Sequence, residues 1–125
     1  MSGVRILVGE DDPSVRGLLQ TLLSAEGYEV ATASDGLDGL VKVTAAPTAL
    51  VVLDLMMPDL GGVRVLEEMR DDPELADIPV IVVTGKIDAI PSMKELLGED
   101  NVFLKPFAVA ELLERVGDVT GGPQA

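Results

Sequence analysis

The segment VVLDLMMPDL, residues 51–60, decides how the chain folds. It begins as an unbroken aliphatic run, ends that run on one acid, Asp54, and turns at Pro58. A short apolar run bounded by turn residues is typical of a strand buried on both faces, and such strands belong to parallel sheets. Asp54 has an ordinary explanation as a turn former, but a lone carboxylate at the tip of a core strand also suggests chemistry.

Composition narrows the possible functions. At 125 residues with 47% hydrophobic content, the chain is one domain long and can bury an aliphatic core. Zero cysteines and zero histidines exclude disulfides, thiolate zinc sites and the usual general base. A formal net charge of −13 opposes binding to nucleic acid or to an anionic membrane. Because neither a membrane span nor an export signal is visible, we expect a cytoplasmic protein.

Strand-like and helical patterns alternate along the whole chain. The third and fourth strand-like segments are apolar at nearly every position, whereas the second alternates with Glu29 and Thr32 and is expected near an edge. Alternation of this kind predicts a parallel sheet covered by helices on both faces. The predicted strands are residues 4–9, 28–33, 49–54, 78–84 and 102–105.

The helices are predicted from caps and from apolar spacing. Asp12 can cap the first helix, with Pro13 at its first position and Gly27 closing it, and Asp35 opens the second. Pro91 predicts a loop to about residue 90 and a short fourth helix from there. The side chains predicted to face inward are Val15, Leu18, Leu19, Leu22 and Leu23 in the first helix; Leu37, Leu40 and Val41 in the second; Val63, Leu66 and Met69 in the third; and Val109, Leu112, Leu113 and Val116 in the last.

Polar residues follow four of the five predicted strands. The first strand runs into Glu10 and Asp11, the third into Asp54, the fourth into Thr84 and the fifth into Lys105. Parallel strands end at one edge of the sheet, and ligands bind there at the point where the strand order reverses. If the second strand lies outside the first, this crevice lies between the first and third strands. Asp11 is then expected beside Asp54.

Three converging carboxylates repel one another, and protonation or a bound cation must relieve the repulsion. Hard oxygen ligands without histidine or cysteine indicate Mg²⁺. We expect Asp11 and Asp54 as direct ligands and Glu10 acting through water. A carboxylate is also a competent nucleophile toward phosphorus, with the metal, Lys105 and the Thr84 hydroxyl stabilising the transferring oxygens.

Taken together, these motifs resemble the receiver domain of bacterial two-component response regulators. The resemblance covers Arg5 to about Gly117, and it implies an α/β, flavodoxin-like, doubly wound (βα)5 sandwich whose parallel five-stranded sheet has the order 2-1-3-4-5. The domain is expected at residues 1–120, with 121–125 a flexible tail or the start of a linker. The motifs that carry the resemblance are ILVGEDDP (6–13), LDLMMPDLGG (53–62), VIVVTG (80–85) and LKPF (104–107).

Carried over by position, the resemblance implies that Asp54 is the phosphoacceptor and that Glu10 with Asp11 is the acidic pair. The backbone carbonyl of Met56 would be the third protein ligand of Mg²⁺.

The resemblance also implies that Thr84 and Lys105 contact the phosphoryl group and that the bond from Lys105 to Pro106 is cis. One position departs from the family. The residue three before the lysine is commonly an aromatic residue whose ring swings inward, and here it is Val102, with Phe103 on the opposite side of the strand. The output is therefore expected to be weaker or differently built.

The function implied by the resemblance is a phosphorylation-dependent signalling switch. Asp54 would accept a phosphoryl group from a partner histidine kinase or phosphotransfer protein. The face formed by the fourth helix, fifth strand and fifth helix would then change for an output protein or a fused effector domain. Self-catalysed transfer and autodephosphorylation are the only chemistry expected, with no direct nucleic acid or membrane partner.

Two alternatives remain open. A degenerate receiver would act only as a protein-interaction module, and the Val102 departure is its support. An aspartate-nucleophile phosphatase would need a second acid two residues after the nucleophile, where this chain has Met56.

Overall fold

Strands and helices alternate strictly in the computed structural model, which describes residues 3–124. The strands are β1 (Arg5–Gly9), β2 (Glu29–Ala33), β3 (Leu50–Leu53), β4 (Val80–Thr84) and β5 (Val102–Leu104). The α-helices are α1 (Pro13–Ala25), α2 (Gly36–Ala45), α3 (Gly62–Asp71), α4 (Ile90–Leu97) and α5 (Val109–Thr120). Short 3-10 helices at Ile87–Ala89 and Glu99–Asn101 flank α4. Because α4 spans only Ile90–Leu97 with Pro91 in its first turn, the predicted short helix is confirmed.

The five strands form one parallel sheet in the order β2-β1-β3-β4-β5, which confirms the predicted flavodoxin-like fold. Strands β3 and β4 are buried at every position, and β2 lies at an edge with an exposed Glu29, as expected. Helices α1 and α5 cover one face of the sheet, and α2, α3 and α4 cover the other.

Two aliphatic cores hold the sheet between its helices. Leu23 of α1 and Val116 of α5 are fully buried in the first core, and Met69 of α3 and Met93 of α4 are buried in the second. Complete burial of such a side chain contributes about 1.5–3 kcal/mol. The cores therefore fix the strands, and with them the edge at which the strands end.

The predicted helix caps are confirmed. Asp12 Oδ1 accepts a hydrogen bond from the Ser14 amide at 2.9 Å, and Asp35 Oδ1 accepts one from the Asp38 amide at 2.8 Å. Gly27 follows α1 with a φ of +106°, a conformation that glycine adopts without strain.

The predicted inner face of α2 is confirmed at Leu40, which packs against the core, and is wrong at the other two residues. Leu37 and Val41 are 58% and 65% exposed, and the helix instead buries Gly36 and Val43. A Cβ on Gly36 would lie 1.8 Å from the Leu60 carbonyl oxygen, so the bare helix backbone itself is the packing surface.

Two further predictions of buried side chains are wrong. Leu18 and Val63 are both exposed, because the side of α1 that meets the sheet is centred on Leu19 and Leu23, and α3 buries Val65 in place of Val63. Residues four apart share a helix face, whereas neighbouring residues are turned away from each other.

The end of the described chain packs against its beginning. The Val4 amide donates to the Pro123 carbonyl at 3.2 Å, and the Tyr28 and Thr120 hydroxyls share a hydrogen bond of 3.1 Å. The predictions about the domain bounds, the export signal and the tail include residues 1, 2 and 125. These three residues lie outside the described residues. Among the helices of residues 3–124, none has the length and hydropathy needed to cross a bilayer.

Candidate functional site

The register of β1 and β3 places two acids side by side at the carboxyl edge of the sheet. Gly9 pairs with Leu53, and the amide of Asp54 donates to the Gly9 carbonyl at 2.9 Å. The ladder therefore continues one residue past β3. Asp54 follows Leu53 where Glu10 follows Gly9, as the rule for parallel strand ends predicts.

The register of β4 and β5 delivers the other two predicted groups to the same edge. Thr84 pairs with Leu104, and the Lys105 amide donates to the Thr84 carbonyl at 2.9 Å. The bond between Lys105 and Pro106 is cis, which confirms that expectation.

The carboxylates of Glu10, Asp11 and Asp54 form one cluster. Each offers an oxygen, and these oxygens all lie within 4.8 Å of one another. Glu10 and Asp54 are buried, whereas Asp11 is exposed, so the cluster opens to solvent on the side of Asp11. The predicted meeting of the three acids is confirmed.

Lys105 is the counter-charge of this cluster. Its Nζ lies 2.7 Å from Glu10 Oε1 and 2.9 Å from Asp54 Oδ2, with its side chain only 24% exposed. Hydrogen bonds between charged groups of this length are among the stronger ones in proteins. Three carboxylates and one ammonium still leave a net charge of −2 at the cluster.

Burial raises the pKa of Glu10, and the nearby charge of Asp54 raises it further, while the hydrogen bond from Lys105 opposes both. For Lys105, burial alone would lower the pKa. Its hydrogen bonds to Glu10 and Asp54 outweigh burial, so the pKa of Lys105 is raised and the amine stays protonated.

Backbone amides hold the remaining carboxylate oxygens. Glu10 Oε2 accepts from the Asp12 amide at 3.2 Å, and Asp54 Oδ1 accepts from the Met56 amide at 3.1 Å. Every buried side-chain nitrogen or oxygen within residues 3–124 has a partner. The backbone of Met56 thus adjoins Asp54, and the role of its carbonyl as a metal ligand stays a prediction.

The Thr84 side chain is fully buried at the end of β4. Its Oγ1 accepts from the Lys86 amide at 3.2 Å, so the hydroxyl oxygen is engaged by its own loop. A contact between Thr84 and a phosphoryl group therefore stays a prediction.

Two residues that support the site were not predicted. A Cβ on Gly62 would lie 2.4 Å from the Asp54 carbonyl oxygen, so α3 begins directly against the backbone of Asp54. The glycine pair in LDLMMPDLGG was the available signal. Arg16 Nη1 donates to the carbonyls of Glu10 and Asp11 at 3.0 and 3.1 Å, and no pattern in the sequence indicates this contact.

The departure at Val102 is visible in the packing. Val102 lies in the core beneath α4 with Met93, and Phe103 packs on the opposite face of the sheet with Leu112 and Val116 of α5. The two side chains therefore lie on opposite sides of β5, as predicted.

The donor set fits Mg²⁺ and phosphoryl chemistry. Its side-chain ligands are all carboxylate oxygens, the donors that Mg²⁺ prefers, and a divalent cation would balance the net charge that Lys105 leaves. An ammonium and a buried hydroxyl end the neighbouring strands. Such an arrangement can position an acyl phosphate and stabilise its oxygens.

Comparisons with known proteins point to one family. The family model of the response regulator receiver domain matches residues 6–117. The chain is 42% identical to the probable transcriptional regulator ycf27 of Cyanophora paradoxa, over 90% of this chain and 46% of that protein. It is 39% identical to the DNA-binding dual master transcriptional regulator RpaA of Synechocystis, over 90% of this chain and 47% of that protein. The chain therefore spans about half the length of the curated relatives it matches.

Solved structures show the same similarity. The response regulator protein TrrA of Thermotoga maritima, in complex with Mg²⁺-BeF, is 34% identical with a TM-score of 0.81 over 93% of this chain and 98% of that one. The chemotaxis response regulator CheY4 of Vibrio cholerae is 26% identical with a TM-score of 0.81 over the same shares, 93% and 98%. The acidic cluster of Glu10, Asp11 and Asp54 is typical of a receiver Mg²⁺ site.

Proposed function

This chain belongs to the response regulator receiver domain family, and from that premise we propose that it is a phosphorylation-dependent signalling switch whose phosphoacceptor is Asp54. The observation that supports this most directly is the Asp54 carboxylate itself. It is buried at the end of β3, bonded to Lys105 and grouped with two further acids.

The donor would be a phosphohistidine on a partner kinase or phosphotransfer protein. This chain contains no histidine, so it cannot supply the phosphohistidine itself. A carboxylate oxygen of Asp54 attacks the phosphorus and forms the new P–O bond. The P–N bond breaks, and the partner's imidazole leaves with the electron pair and takes up a proton. The product is an acyl phosphate on Asp54.

Mg²⁺ would be held by Asp11, Asp54 and the Met56 carbonyl, with Glu10 acting through water, and it would supply positive charge for the phosphoryl oxygens. The Mg²⁺-BeF complex of the similar TrrA supports this choice of metal. Backbone amides orient the carboxylates that would surround the metal. The Asp12 amide donates to Glu10, and the Met56 amide donates to Asp54.

The response would pass from the site to the face formed by α4, β5 and α5. Lys105 already lies 2.9 Å from Asp54 Oδ2, and a phosphoryl dianion would draw its ammonium and the Thr84 hydroxyl inward. Lys105 directly follows β5, so its displacement would move that strand. Val102 leaves no aromatic ring at the family's usual position, and the strand itself would carry more of the change.

Downstream, the change would be recognised by a separate output protein or a fused effector domain. The curated relatives include transcriptional regulators about twice as long as this chain, which supports control of transcription through another segment. The net charge of −13 argues against direct nucleic-acid binding by these residues. The cytoplasmic location stays a prediction from the sequence.

Asp54→Asn tests the phosphoacceptor. After incubation with acetyl phosphate and Mg²⁺, intact mass spectrometry should show that the unmodified protein gains one phosphoryl group and that Asp54→Asn gains none. Asp59→Asn is the matched control. It changes an exposed acid five residues away at a φ of 63°, a conformation that asparagine tolerates, and it should be labelled normally. Labelling of Asp54→Asn would place the acceptor elsewhere.

The same assay separates the alternatives. A pure interaction module, which the Val102 departure favours, predicts no labelling of the unmodified protein. A phosphatase predicts continued turnover of a chromogenic phosphate ester, and we expect none beyond the protein's own equivalent.

Lys105→Ala tests the coupling. Because Lys105 contacts the acceptor without being the nucleophile, the variant should still be labelled in part, while its output partner should bind the labelled and unlabelled forms alike. Partner binding that still changes on labelling would contradict this role for Lys105.

A further inference from the structure

A groove of about 570 Å³ runs along β5 and α5, outside the carboxylate site. Apolar side chains form its floor. Leu104 is 41% exposed there, and Phe103 and Phe107 are half-buried beside the exposed ring of Pro106. A partner's apolar side chain placed over Leu104 would remove this surface from water.

The rim of the groove is acidic. Among the described residues that line the groove, Arg115 is the one cation, and its Nε donates to the Asn101 side chain at 2.8 Å. None of the rim carboxylates belongs to an ion pair within the part of the chain that the structure describes. These carboxylates are Glu99, Asp100, Glu111, Glu114 and Asp118.

Three of these acids form a stripe of like charge along α5. Glu111, Glu114 and Asp118 are spaced three and four residues apart, so they share one side of the helix. Like charges at this spacing destabilise a helix. Asp118 also lies near the helix C-terminus, where the macrodipole favours a cation, and the last turn of α5 contains no basic residue. A cationic partner would relieve both effects.

We propose that this groove binds a basic segment of a partner protein, with lysine or arginine side chains on the acidic rim and an apolar side chain over Leu104. Charge complementarity selects this occupant. A second copy of the chain presenting the same face would bring the two acidic rims together, and of the described lining residues only Arg115 would offset them. Nucleic acid would be repelled for the same reason.

The proposal rests on the proposed function only for its regulation. Lys105 contacts Asp54, while its two neighbours in the chain, Leu104 and Pro106, line the groove. Phosphorylation of Asp54 would therefore change the affinity of the groove for its basic partner.

The test measures fluorescence anisotropy of a fluorescein-labelled amphipathic peptide made of arginine, leucine and alanine. The double variant Glu111→Lys, Glu114→Lys should weaken binding by about tenfold or more, because both charges face the bound cations. The matched control is Glu26→Lys, Glu29→Lys, which changes the net charge equally at exposed positions outside the groove. The control should change affinity by less than about twofold. An equal loss in both variants would show diffuse attraction to an acidic protein and would overturn the proposal.

The apolar floor has its own pair of variants. Leu104→Ser should weaken peptide binding several-fold, whereas Val41→Ser, at an exposed aliphatic residue of α2, should leave it unchanged. Thermal melts confirm that each variant is folded. Peptide binding that is unaffected by Leu104→Ser would contradict the proposed position of the apolar side chain.

Sedimentation of the unlabelled protein should show a monomer. A dimer that Glu111→Lys, Glu114→Lys dissociates would mean that the groove binds a second copy and would overturn the proposal. All of these measurements use unphosphorylated protein. Failure of acetyl phosphate labelling would therefore leave the groove result standing, and the two failures can be told apart.

Discussion

The ionised carboxylate of Glu10 opposes folding, although it belongs to the best-connected part of the site. Burial and the charge of Asp54 raise its pKa, which means that the folded state holds the Glu10 proton more tightly than the unfolded chain does. Its contribution to stability is fully present below the unfolded pKa of 4.5 and is lost as the pH rises through the higher folded pKa. The hydrogen bond from Lys105 offsets only part of this loss.

Glu10→Gln should therefore raise the melting temperature at neutral pH in the absence of divalent metal, because glutamine keeps the shape without the charge. The advantage should shrink as the pH falls and Glu10 of the unmodified protein becomes protonated. Melting curves across this pH range check the prediction. Glu26→Gln, at an exposed position, is the control and should show little change. A loss of stability in Glu10→Gln at neutral pH would contradict the sign.

Single residues also show how far sequence reasoning reaches. That Glu10, Asp11 and Asp54 meet follows from the rule that parallel strands end at one edge, because this rule depends only on strand direction. The bonds from Lys105 Nζ to two carboxylates could not be predicted in the same way. They depend on side-chain conformations and on the competition between burial and charge.

At the scale of elements, Gly62 has no side chain and so lets the start of α3 pack directly against the backbone that follows β3. Gly62→Ala should destabilise the protein by about 1–3 kcal/mol, because its Cβ would lie 2.4 Å from the Asp54 carbonyl oxygen and 2.6 Å from Leu55 Cα, where neither backbone atom can move freely. Urea unfolding measures the change.

Gly17→Ala is the matched control for this prediction. It introduces the same methyl group into the middle of α1, where no atom of the described residues outside the surrounding helix backbone lies within 4 Å, and should stabilise the protein by about 0.5–1 kcal/mol. If Gly62→Ala were as stable as Gly17→Ala, the close contact between α3 and the backbone of Asp54 and Leu55 would be refuted.

The existence and order of the strands and helices were predictable from the sequence. The residues that α2 buries against its neighbours were not. Caps at Asp12 and Asp35 follow from local hydrogen bonding and need no tertiary information. The face of α2 was mispredicted because apolar spacing counts Leu37 and Val41 and gives no weight to glycine. The neighbouring backbone at Leu60 makes Gly36 the packing surface, and that neighbour is known only once the chain is folded.

On the scale of the whole molecule, the chain has 22 acidic and 9 basic residues. The excess negative charges repel one another and thereby destabilise the compact folded state. Added NaCl should therefore raise the melting temperature and then reach a plateau as the charges are screened. MgCl2 at the same ionic strength should raise it further, because in our proposal Mg²⁺ binds the cluster of Glu10, Asp11 and Asp54, which forms only in the folded state. Differential scanning calorimetry separates the two effects.

The double variant Asp11→Asn, Asp54→Asn should keep the response to NaCl and lose the additional response to MgCl2. Asp71→Asn, Asp77→Asn is the control, since it removes two exposed acids outside the cluster and should keep both responses. An extra MgCl2 response that persists without Asp11 and Asp54 would contradict a specific metal site.

The position of Lys105 has a mechanical consequence. Leu104 and Pro106, which line the groove, are each one peptide linkage from the lysine whose amine grips Asp54. The proposed phosphorylation site and the proposed docking groove are thus connected through the covalent main chain around Lys105. In the proposed switch, a displacement of the main chain at Lys105 would reach the groove even though position 102 is a valine.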